Sequence, residues 1–418
     1  MKIEELYRLY RQHYLVDTDT RKIRKNTLYF ALKGANFNGN KFAEEAIHKG
    51  AKFSIVDEKQ YHTSSNTILV DDVLTTLQEL ANYHRKQLNV PIIGLTGSNG
   101  KTTTKELINA VLSTQYKTTA TIGNLNNHIG VPLTLLSMTA KTEIGIVEMG
   151  ANHHKEIELL CEISNPNYGY ITNFGKAHLE GFGSIEGVIE AKSELYNYLK
   201  ENKQHVFVNN KDSIQIKKTT KMNTLVFETS IQFLEANPFV KLKYDNEIIS
   251  SQLIGDYNFS NLSAAITIGK YFKISTENIK NSLECYTPSN NRSQVIKTEK
   301  NNTLILDAYN ANPTSMKAAL KSFSNSIAEN KVVVIGDMFE LGSKSKIEHQ
   351  HIVDYCNELN YNNVIIVGEL FHQTTTNFLK FKTFEELKNY LIINIVSNSN
   401  FLIKGSRGMA LERIADYL

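Results

Sequence analysis

Residues 92–106 read Ile-Ile-Gly-Leu-Thr-Gly-Ser-Asn-Gly-Lys-Thr-Thr-Thr-Lys-Glu and combine three local signals. Residues 90–95 are a short apolar run, which predicts a buried strand. Residues 96–100 are rich in Gly, Ser and Asn, which predicts a turn. Residues 102–112 carry apolar side chains at helical spacing. The stretch is therefore predicted to form a strand, a glycine-rich loop and a helix, in that order.

A loop of this kind is suited to binding phosphate. The N-terminus of a helix exposes unpaired N–H groups and a partial positive charge. Gly97 and Gly100 allow the backbone to approach an anion, Lys101 adds a point charge, and the Thr102 hydroxyl lies where phosphate-loop proteins hold magnesium. Leu95 stands where the generic pattern has its first glycine, so the match is to the shorter Thr-Gly-x-x-Gly-Lys-Thr. A plain turn is the alternative, and nucleotide phosphate binding is favoured over it.

Composition narrows the class of protein. The 418 residues predict about two or three domains, and the net charge of +3 is close to balance. No basic stretch interleaves with aromatic residues, so no nucleic-acid partner is expected. No run of about 18 apolar residues occurs, so no membrane span is expected, and residues 1–14 suit a surface helix better than a signal peptide. The few cysteines are far apart, which favours a reducing cytoplasm and no catalytic or metal-binding role: Cys161, Cys285 and Cys356.

The order of strands and helices predicts an α/β protein of three domains, placed at residues 1–82, 83–298 and 299–418. The first is a small α/β domain, with a strand at 27–32 and helices at 42–48 and 71–87. The second alternates strands and helices as a mostly parallel sheet does. The third is predicted to be a doubly wound sheet that ends in a helix at 409–417, with strands at 303–307, 331–335, 363–367 and 400–404.

Two polar side chains follow predicted strands of the second domain. Glu148 lies at the end of the strand at 144–149, and His178 lies in the loop after the strand at 168–172. Ligand groups gather at the carboxyl ends of strands in open α/β sheets. A solvated strand end and an ordinary loop histidine are the alternatives. Together, Glu148 and His178 favour metal ligation, or positioning of the metal's waters, beside the phosphate loop.

Lys192 lies in the middle of an apolar helical stripe that includes Ile185, Val188, Leu195 and Leu199. A lysine that faces a core is costly unless it is paired, reaches water or changes its chemistry. A stem that extends its ammonium group to water is the common outcome. Beside a phosphate and metal site, a desolvated lysine has a lowered pKa, and its neutral amine can become a carbamate that a cation stabilises.

Two further segments carry candidate ligand-binding groups. Asn258 and Asn261 precede a helix predicted at 262–268, and an asparagine amide matches the edge of adenine, although helix capping is the alternative. Residues 404–408, Lys-Gly-Ser-Arg-Gly, precede the last predicted helix and repeat the logic of an anion site at a helix N-terminus. The glycines there are otherwise turn residues.

With these residues in hand, the chain resembles the Mur ligase family of ATP-dependent amide-forming enzymes over essentially its whole length. The matching motifs are Thr-Gly-Ser-Asn-Gly-Lys-Thr-Thr at 96–103, Gly-Asn-Leu-Asn-Asn-His-Ile-Gly-Val-Pro at 123–132, Glu-Met-Gly-Ala-Asn-His at 148–153, Asn-Phe-Gly-Lys-Ala-His-Leu-Glu at 173–180, Ala-Lys-Ser-Glu at 191–194 and Asp-Ala-Tyr-Asn-Ala-Asn-Pro at 307–313. The last motif is the most discriminating within the family, because ligases that add one amino acid, and folylpolyglutamate synthetases, differ there.

The resemblance implies a nucleotide and metal site. The ATP phosphates would be held by Thr96, Gly97, Ser98, Asn99, Gly100, Lys101, Thr102 and Thr103. Asn258 and Asn261 would contact adenine, Arg292 the γ-phosphate, and Asp307 with Tyr309 the nucleotide from the third domain. Thr102 and Glu148 would bind one Mg²⁺, and His178 with a carbamylated Lys192 a second. Lys101, Lys192, His178 and Arg292 would be the catalytic residues.

The resemblance also implies a substrate site. In the first domain Thr20, Arg21, Lys33 and Asn38 would bind the uridine diphosphate. The other substrate residues would be Asn124, Asn126, Asn127, Asn310, Asn312, Lys404 and Arg407. Two positions depart from the family pattern: Asn38-Gly39-Asn40 stands where Asp-Gly-His is frequent, and Tyr257 stands where His is frequent.

The implied activity joins D-alanyl-D-alanine to UDP-N-acetylmuramoyl-tripeptide through an acyl phosphate, in a monomer whose third domain closes over ATP. One alternative is a ligase that adds a single amino acid to a muramyl or folyl acceptor, and the motif at 307–313 argues against it. A nucleotide-driven switch or transport ATPase is the other. GTPase switches read guanine with Asn-Lys-x-Asp, and residues 210–213, Asn-Lys-Asp-Ser, have their acidic residue one place early.

Overall fold

The computed structural model describes residues 1–289 and 291–418, which form three sheets with parallel strands, a three-stranded antiparallel sheet and a small hairpin. Helices cover the parallel sheets, as the alternating pattern predicts. No helix within the described ranges is both long enough and apolar enough to cross a bilayer.

The first sheet is parallel and has the strand order β1-β2-β5-β6. Its strands are β1 (Val16–Asp17), β2 (Leu28–Phe30), β5 (Phe53–Val56) and β6 (Thr67–Leu69), and the hairpin is β3 (Lys33–Gly34) with β4 (Phe37–Asn38). The helices are α1 (Ile3–Tyr10), α2 (Ala43–His48) and α3 (Val73–Gln87). The predicted strand and both predicted helices are present with slightly shorter bounds.

Helix α3 joins the first sheet to the second. Asp72 caps the helix by accepting a hydrogen bond from Thr75 N. Near the other end, His84 contacts the Tyr7 hydroxyl at 3.2 Å and the Met138 carbonyl at 3.0 Å. The guanidinium of Arg85 donates to the Ser164 carbonyl at 3.0 Å. Helix α3 therefore contacts residues that precede it and residues of the second domain. The predicted boundary at 82/83 falls inside this continuous helix.

The second sheet has six parallel strands in the order β12-β11-β10-β7-β9-β8. They are β7 (Ile92–Thr96), β8 (Thr118–Ala120), β9 (Ile144–Glu148), β10 (Tyr168–Ile171), β11 (His205–Val208) and β12 (Asn223–Val226). The accompanying helices are α4 (Lys101–Leu112), α5 (Gly130–Leu136), α6 (Glu156–Ser164), α7 (Leu179–Phe182), α8 (Ile185–Glu201), α9 (Ser213–Lys218), α10 (Asn258–Tyr271) and α11 (Thr276–Cys285). Because β7 lies between β9 and β10, the loops after these three strands open at one edge.

An antiparallel sheet, which the sequence analysis did not predict, interrupts this pattern. It consists of β13 (Gln232–Ala236), β14 (Phe239–Tyr244) and β15 (Glu247–Ile254). Strand β14 reads Phe-Val-Lys-Leu-Lys-Tyr, and every second residue is buried. That alternation is typical of a sheet with one face on a core, and it was a usable signal.

The third sheet has the order β16-β17-β21-β18-β19-β20. Its strands are β16 (Gln294–Lys297), β17 (Thr303–Asp307), β18 (Lys331–Gly336), β19 (Val364–Val367), β20 (Leu379–Phe381) and β21 (Asn400–Lys404), and its helices are α12 (Pro313–Asn325), α13 (Ser345–Glu358), α14 (Glu369–His372) and α15 (Phe384–Ile393). Strand β16 pairs antiparallel with β17, so this sheet begins before the predicted boundary at 299. We refer to residues 294–418 as the third unit.

The predicted α-helix at 409–417 is wrong. The segment instead forms two 3₁₀ turns, Arg407–Met409 and Leu411–Tyr417. Ala410 separates them with a φ of 46°, in the left-handed region, which a continuous right-handed helix cannot contain. Other 3₁₀ turns lie at Thr20–Lys22, Gly39–Phe42, Lys59–Tyr61 and Gly342–Lys344.

Candidate active site

A cleft of about 780 Å³ lies where the carboxyl ends of the second and third sheets face each other. It brings together most of the residues that the sequence analysis singled out. These are Ser98, Asn99, Gly100, Lys101, Thr102, Thr103, Asn124, Asn126, Asn127, Glu148, His178, Asn258, Asn261, Arg292, Asp307, Tyr309, Asn310, Asn312, Lys404 and Arg407. Two sheets that are distant in sequence thus build one site.

The loop after β7 has the predicted strand, loop and helix arrangement. Gly97 has a φ of 143°, and a Cβ there would lie 2.0 Å from Thr172 Oγ1. Gly100 has a φ of 78° and is the N-cap of α4. Only glycine adopts both conformations without strain. Thr96 and Gly97 form the floor of the loop, and the residues after them line the cleft.

Lys101 folds back over this loop. Its Nζ donates hydrogen bonds to the Gly97 carbonyl at 2.7 Å and the Ser98 carbonyl at 3.4 Å. Burial lowers the pKa of Lys101, Glu148 opposes this effect, and Arg292 adds to it. A phosphate would offer the ammonium group the negative partner that backbone carbonyls supply only in part.

Glu148 has an arrangement that fits a divalent cation. It is 1% exposed, and its Oε1 accepts hydrogen bonds from Thr102 Oγ1 at 3.2 Å and Asn126 Nδ2 at 2.8 Å. Its Oε2 is buried and has no hydrogen-bond partner among the residues that the structure describes. An unpaired buried carboxylate oxygen is costly, and Mg²⁺ is often bound through one or two carboxylates plus substrate phosphates. Within residues 1–289 and 291–418, no cluster of three or more His, Cys, Asp or Glu forms a metal cage.

Lys192 lies behind the wall of the cleft and not on its surface. It is 0% exposed, its Nζ donates to the Ala151 carbonyl at 3.1 Å, and it lies 5.1 Å from the centre of the Phe182 ring. Burial lowers the pKa of Lys192 well below its usual range, and the charge of Lys101 lowers it further. Ala151 itself lines the cleft, so one residue separates the amine from the site.

His178 reaches the third unit. Its Nδ1 lies 2.5 Å from Glu340 Oε2, in the loop after β18. The close contact with His178 lowers the pKa of Glu340, although partial burial opposes the shift. Glu340 was not predicted. Its position beyond the carboxyl end of a parallel strand was the available signal.

The two asparagines proposed for adenine lie inside α10 and do not precede it. Asn258 Nδ2 donates to the Ile254 carbonyl at 2.8 Å, and Asn261 Nδ2 donates to Asn258 Oδ1 at 2.8 Å. Thr104 Oγ1 donates to Asn261 Oδ1 at 3.0 Å, which ties α10 to α4. Neither asparagine caps the helix, because the N-cap is Tyr257. The adenine contact stays a prediction.

The third unit contributes a tyrosine between two arginines. The Arg292 guanidinium carbon lies 3.7 Å from the centre of the Tyr309 ring, and that of Arg407 lies 5.1 Å from it. Arg407 also donates to the Tyr309 hydroxyl at 3.1 Å. Two guanidinium groups therefore line the cleft beside the ring of Tyr309.

The idea of a second anion site at 404–408 is not supported by this geometry. Lys404 is 2% exposed, and its Nζ donates to Asp307 Oδ2 at 2.6 Å and to the Asn310 carbonyl at 3.1 Å. The charge of Lys404 is already paired. The 3₁₀ turn Arg407–Met409 follows, so there is no long helix to direct unpaired N–H groups at an anion.

Direct hydrogen bonds join the phosphate loop to the third unit. Asn312 caps α12 and donates from Nδ2 to Asn99 Oδ1 at 2.7 Å. Asn173, which the sequence analysis did not single out as a site residue, accepts from Asn99 N at 3.1 Å and donates to the Asn99 carbonyl at 2.9 Å. Lys176 N donates to Thr314 Oγ1 at 2.9 Å. These contacts connect the loops of the second sheet directly to the third unit.

The residues predicted to bind uridine diphosphate do not line the cleft. Arg21 pairs with Asp19 at 2.7 Å on the surface, while Thr20 accepts from Lys49 through its carbonyl. Lys33 contacts Asp57 at 3.0 Å. Asn38 donates to Glu58 at 2.9 Å, so each of these residues has a partner within residues 19–58.

Family models match the chain in three successive parts. Residues 13–92 match the Mur ligase family, catalytic domain; residues 95–269 match the Mur ligase middle domain; and residues 291–407 match the Mur ligase, glutamate ligase domain. The matches follow the order of the three sheets.

Curated relatives and solved structures agree with these matches. The UDP-N-acetylmuramoyl-tripeptide--D-alanyl-D-alanine ligase of Bacillus subtilis (strain 168) is 39% identical over 346 residues, covering 80% of this chain and 76% of the relative. That of Escherichia coli (strain K12) is 32% identical and covers 96% of this chain and 92% of the relative. A crystal structure of MurF from Acinetobacter baumannii has a TM-score of 0.85 at 30% identity, covering 96% of this chain and 92% of that one. MurF from Thermotoga maritima in complex with ADP has a TM-score of 0.83 at 25% identity, covering 96% of both chains. The chain belongs to the Mur ligase family.

Proposed function

We propose that this chain is an ATP-dependent ligase that joins UDP-N-acetylmuramoyl-tripeptide to D-alanyl-D-alanine, giving the pentapeptide precursor of peptidoglycan. One observation carries the proposal. The segment at 307–313, which distinguishes this activity within the family, meets the phosphate loop through the 2.7 Å hydrogen bond between Asn312 and Asn99. The relatives named above carry the same activity in their names.

A carboxylate is a poor electrophile, so the reaction begins by activating it. The terminal carboxylate of the tripeptide attacks the γ-phosphorus of ATP, the bond to the β–γ bridging oxygen breaks, and ADP leaves with its electron pair. The product of this step is an acyl phosphate. Lys101, the amides of the phosphate loop and Arg292 stabilise the charge that develops on the phosphate oxygens. Both cations line the cleft, and the charge of Arg292 acts on Lys101, which supports this role.

The amine of the dipeptide then attacks the acyl carbon through a tetrahedral species. The carbon–oxygen bond to phosphate breaks, an amide forms, and phosphate leaves with the second proton of the amine. Holding reactants in line can remove roughly 7 to 11 kcal/mol of barrier. The bonds from Asn312 and Thr314 to the loops of the second sheet keep the third unit over the acyl phosphate and exclude water.

Two cofactor proposals follow from side chains that lack a full set of partners. Thr102 and the unpaired Oε2 of Glu148 would hold Mg²⁺, which supplies charge neutralisation for the phosphates when it is bound. His178 and a carbamylated Lys192 would hold a second ion. The buried amine of Lys192, with its lowered pKa, supports carbamate formation, because only the neutral amine reacts with carbon dioxide.

The carbamate makes a specific prediction. Lys192→Ala should lose most activity, since no carbamate can form, and added short-chain carboxylates should restore part of it by occupying the vacated position. Product formation is measured by mass spectrometry with and without acetate. Full activity in the variant would rule the carbamate out. Lys200→Ala, an exposed lysine of the same helix, is the control.

The activity itself is tested by identifying the product formed from the UDP-muramoyl-tripeptide, D-alanyl-D-alanine and ATP. ADP release with the dipeptide, compared with single amino acids and glutamate, separates this ligase from its relatives. ATP hydrolysis that needs no acceptor would instead support a nucleotide-driven switch. Formation of the pentapeptide nucleotide with release of ADP and phosphate is the expected result.

The remaining assignments are parts of the same proposal. Thr20, Arg21, Lys33 and Asn38 would bind the uridine diphosphate away from the cleft, and the tripeptide would extend from there past Asn124, Asn126 and Asn127. The enzyme would act as a monomer of three domains in the cytoplasm. The free thiols of its three cysteines suit a reducing compartment.

A further inference from the structure

Four carboxylates line the cleft within the described part of the chain, and three of them are already engaged. Glu148 is enclosed with Thr102 and Asn126, as described above. Asp307 is paired with Lys404 at 2.6 Å. Glu156 Oε2 accepts hydrogen bonds from the backbone N–H groups of Asn152 at 2.6 Å and His153 at 3.0 Å. Each of these three carboxylates therefore already has a partner within the protein.

Glu340 is the fourth, and it differs from the others. Its Oε2 contacts His178 Nδ1 across the boundary between the second sheet and the third unit. Its side chain is 50% exposed, and no hydrogen bond or ion pair of Oε1 occurs among residues 1–289 and 291–418. A cleft-lining carboxylate with one oxygen engaged and the other without a partner in the described protein can accept a hydrogen bond from a ligand.

The backbone on both sides of this contact is strained. Glu340 has a φ of 61° and His178 a φ of 51°, both in the left-handed region that residues with a side chain rarely adopt. The Glu340 carbonyl accepts a hydrogen bond from Glu180 N at 3.2 Å, which helps to hold the loop in place. Strain of this kind persists where the surrounding structure imposes it, and it concentrates at ligand-binding sites.

The cleft otherwise presents positive charge to the substrates. Lys101, Arg292 and Arg407 face the region where the phosphates would lie. An α-amino group has an ordinary pKa of about 8, so an incoming amino acid or dipeptide arrives mainly as an ammonium ion at neutral pH. It needs an anionic partner on the side of the third unit, and Glu340 is the group placed to provide one.

We propose that Glu340 binds the ammonium group of the incoming amine substrate, and that His178 holds the carboxylate in position before the substrate arrives. This inference rests on the proposed function, because it names the residue that receives D-alanyl-D-alanine. It assigns a binding role to Glu340 and leaves bond formation to the groups described above.

The test compares two glutamines at the same boundary in the full-length enzyme. Glu340→Gln should raise the KM for D-alanyl-D-alanine roughly 10- to 100-fold, because the amide still accepts a hydrogen bond but no longer offers the ammonium a negative charge. The KM values for ATP and for the muramoyl tripeptide should not change. Glu348→Gln is the matched control. Glu348 Oε1 accepts from Lys176 Nζ at 2.7 Å across the same boundary but does not line the cleft, so the KM for the dipeptide should stay at the wild-type value.

A second readout separates binding from a merely structural ion pair. An analogue of the dipeptide in which a hydroxyl replaces the ammonium should inhibit the wild type and Glu340→Gln equally, since it has no charge for Glu340 to bind. Glu340→Asp, which keeps the carboxylate, should give a KM for the dipeptide between those of the wild type and Glu340→Gln. Melting temperatures of all variants report whether they fold.

Each outcome decides between the alternatives. No product from the dipeptide in the wild type would overturn the proposed function. If the wild type is active, an unchanged KM for the dipeptide in Glu340→Gln would overturn the assignment. A rise in the KM for the dipeptide in Glu348→Gln equal to that in Glu340→Gln would also overturn it. So would a loss of affinity for the hydroxyl analogue in Glu340→Gln as large as its loss of affinity for the dipeptide. If Glu340→Gln does not fold, Glu340→Asp decides: a KM for the dipeptide equal to that of the wild type would count against the proposal.

Discussion

Two lysine- and glycine-containing segments follow central parallel strands, and the structure treats them differently. Residues 97–102 follow β7 and lead into α4, a helix of 12 residues. Residues 404–408 end β21 and lead into a 3₁₀ turn of 3 residues. The same sequence logic predicted an anion site at both places. Only the first segment is followed by a helix whose N-terminus is directed into the cleft.

The surroundings of the two lysines explain the difference. Within the described residues no carboxylate pairs with Lys101, which rests on backbone carbonyls. Lys404 is paired with Asp307, which comes from the neighbouring strand β17. A cation without an anionic partner attracts a ligand anion, whereas a paired cation stabilises the fold. Glycine and lysine in a turn therefore do not define an anion site until their neighbours are known.

The largest expected effect is on Lys101. Lys101→Met should lower kcat/KM about 10²- to 10³-fold, because the developing charge on the transferred phosphoryl group loses a stabilising cation. The melting temperature should stay the same or rise, since burial already disfavours the charged lysine. Product formation and thermal unfolding are measured on the same preparation. Loss of activity explained by unfolding would weaken the contrast with Lys404.

Replacing one glycine of each segment with alanine should give the next largest effect. Gly97→Ala places a Cβ 2.0 Å from Thr172 Oγ1 at a φ of 143°, so we expect a loss of roughly 1–3 kcal/mol in unfolding free energy and a higher KM for ATP. At Gly405 a Cβ would lie 2.9 Å from Leu411 Cδ1, and Gly405→Ala should cost less because this overlap is smaller and the backbone there is not in the left-handed region. Denaturant unfolding of both variants checks the order. Equal losses would contradict it.

Lys404→Met should act mainly on stability. Removing the ammonium leaves Asp307 without its partner in a position where its side chain is 20% exposed. We expect a loss of about 2 kcal/mol in unfolding free energy, since an unpaired carboxylate near the interior is costly and water relieves part of that cost. If the variant instead lost activity at full stability, Lys404 would belong with Lys101 as a ligand-binding residue.

The smallest expected effect is at Arg407, the exposed cation of the second segment. Arg407→Lys keeps the charge but loses the planar contact with Tyr309, which is worth about 0.5–1 kcal/mol. The KM for ATP should rise roughly 2- to 5-fold with little change in melting temperature. A change as large as that in Lys101→Met would mean that the second segment also binds phosphate.

Much of the architecture was predictable from local patterns. The buried strand, glycine loop and helix at β7 and α4, and the strands at 303–307 and 400–404, follow from apolar runs bounded by turn residues. The antiparallel sheet was missed although β14 alternates buried and partly exposed residues. The final helix was wrong because Ala410, whose identity favours helix, adopts a left-handed conformation. Tertiary packing, and not local helix propensity, set the backbone conformation of this residue.

The candidate site also has parts that local sequence patterns predicted and parts that they did not. Lys101, Thr102 and Glu148 were found because each lies at the carboxyl end of a strand or at a helix N-terminus, positions that a single sequence reveals. Glu340 was missed although it follows a parallel strand and so carried the same kind of signal. Its contact with His178 and the bond from Asn312 to Asn99 gave no local signal, since they depend on how two sheets approach each other.

By itself, the sequence determined the strand and helix order, the phosphate loop and the family resemblance, because these depend on neighbours along the chain. Only the tertiary structure decided which buried charges are paired and which are not. Lys404 is paired with Asp307, and Lys192 donates a hydrogen bond to a backbone carbonyl. Glu148 has one oxygen without a hydrogen-bond partner among the described residues. The energy of a buried charge depends on what surrounds it in space, and that information is absent until the sheets have come together.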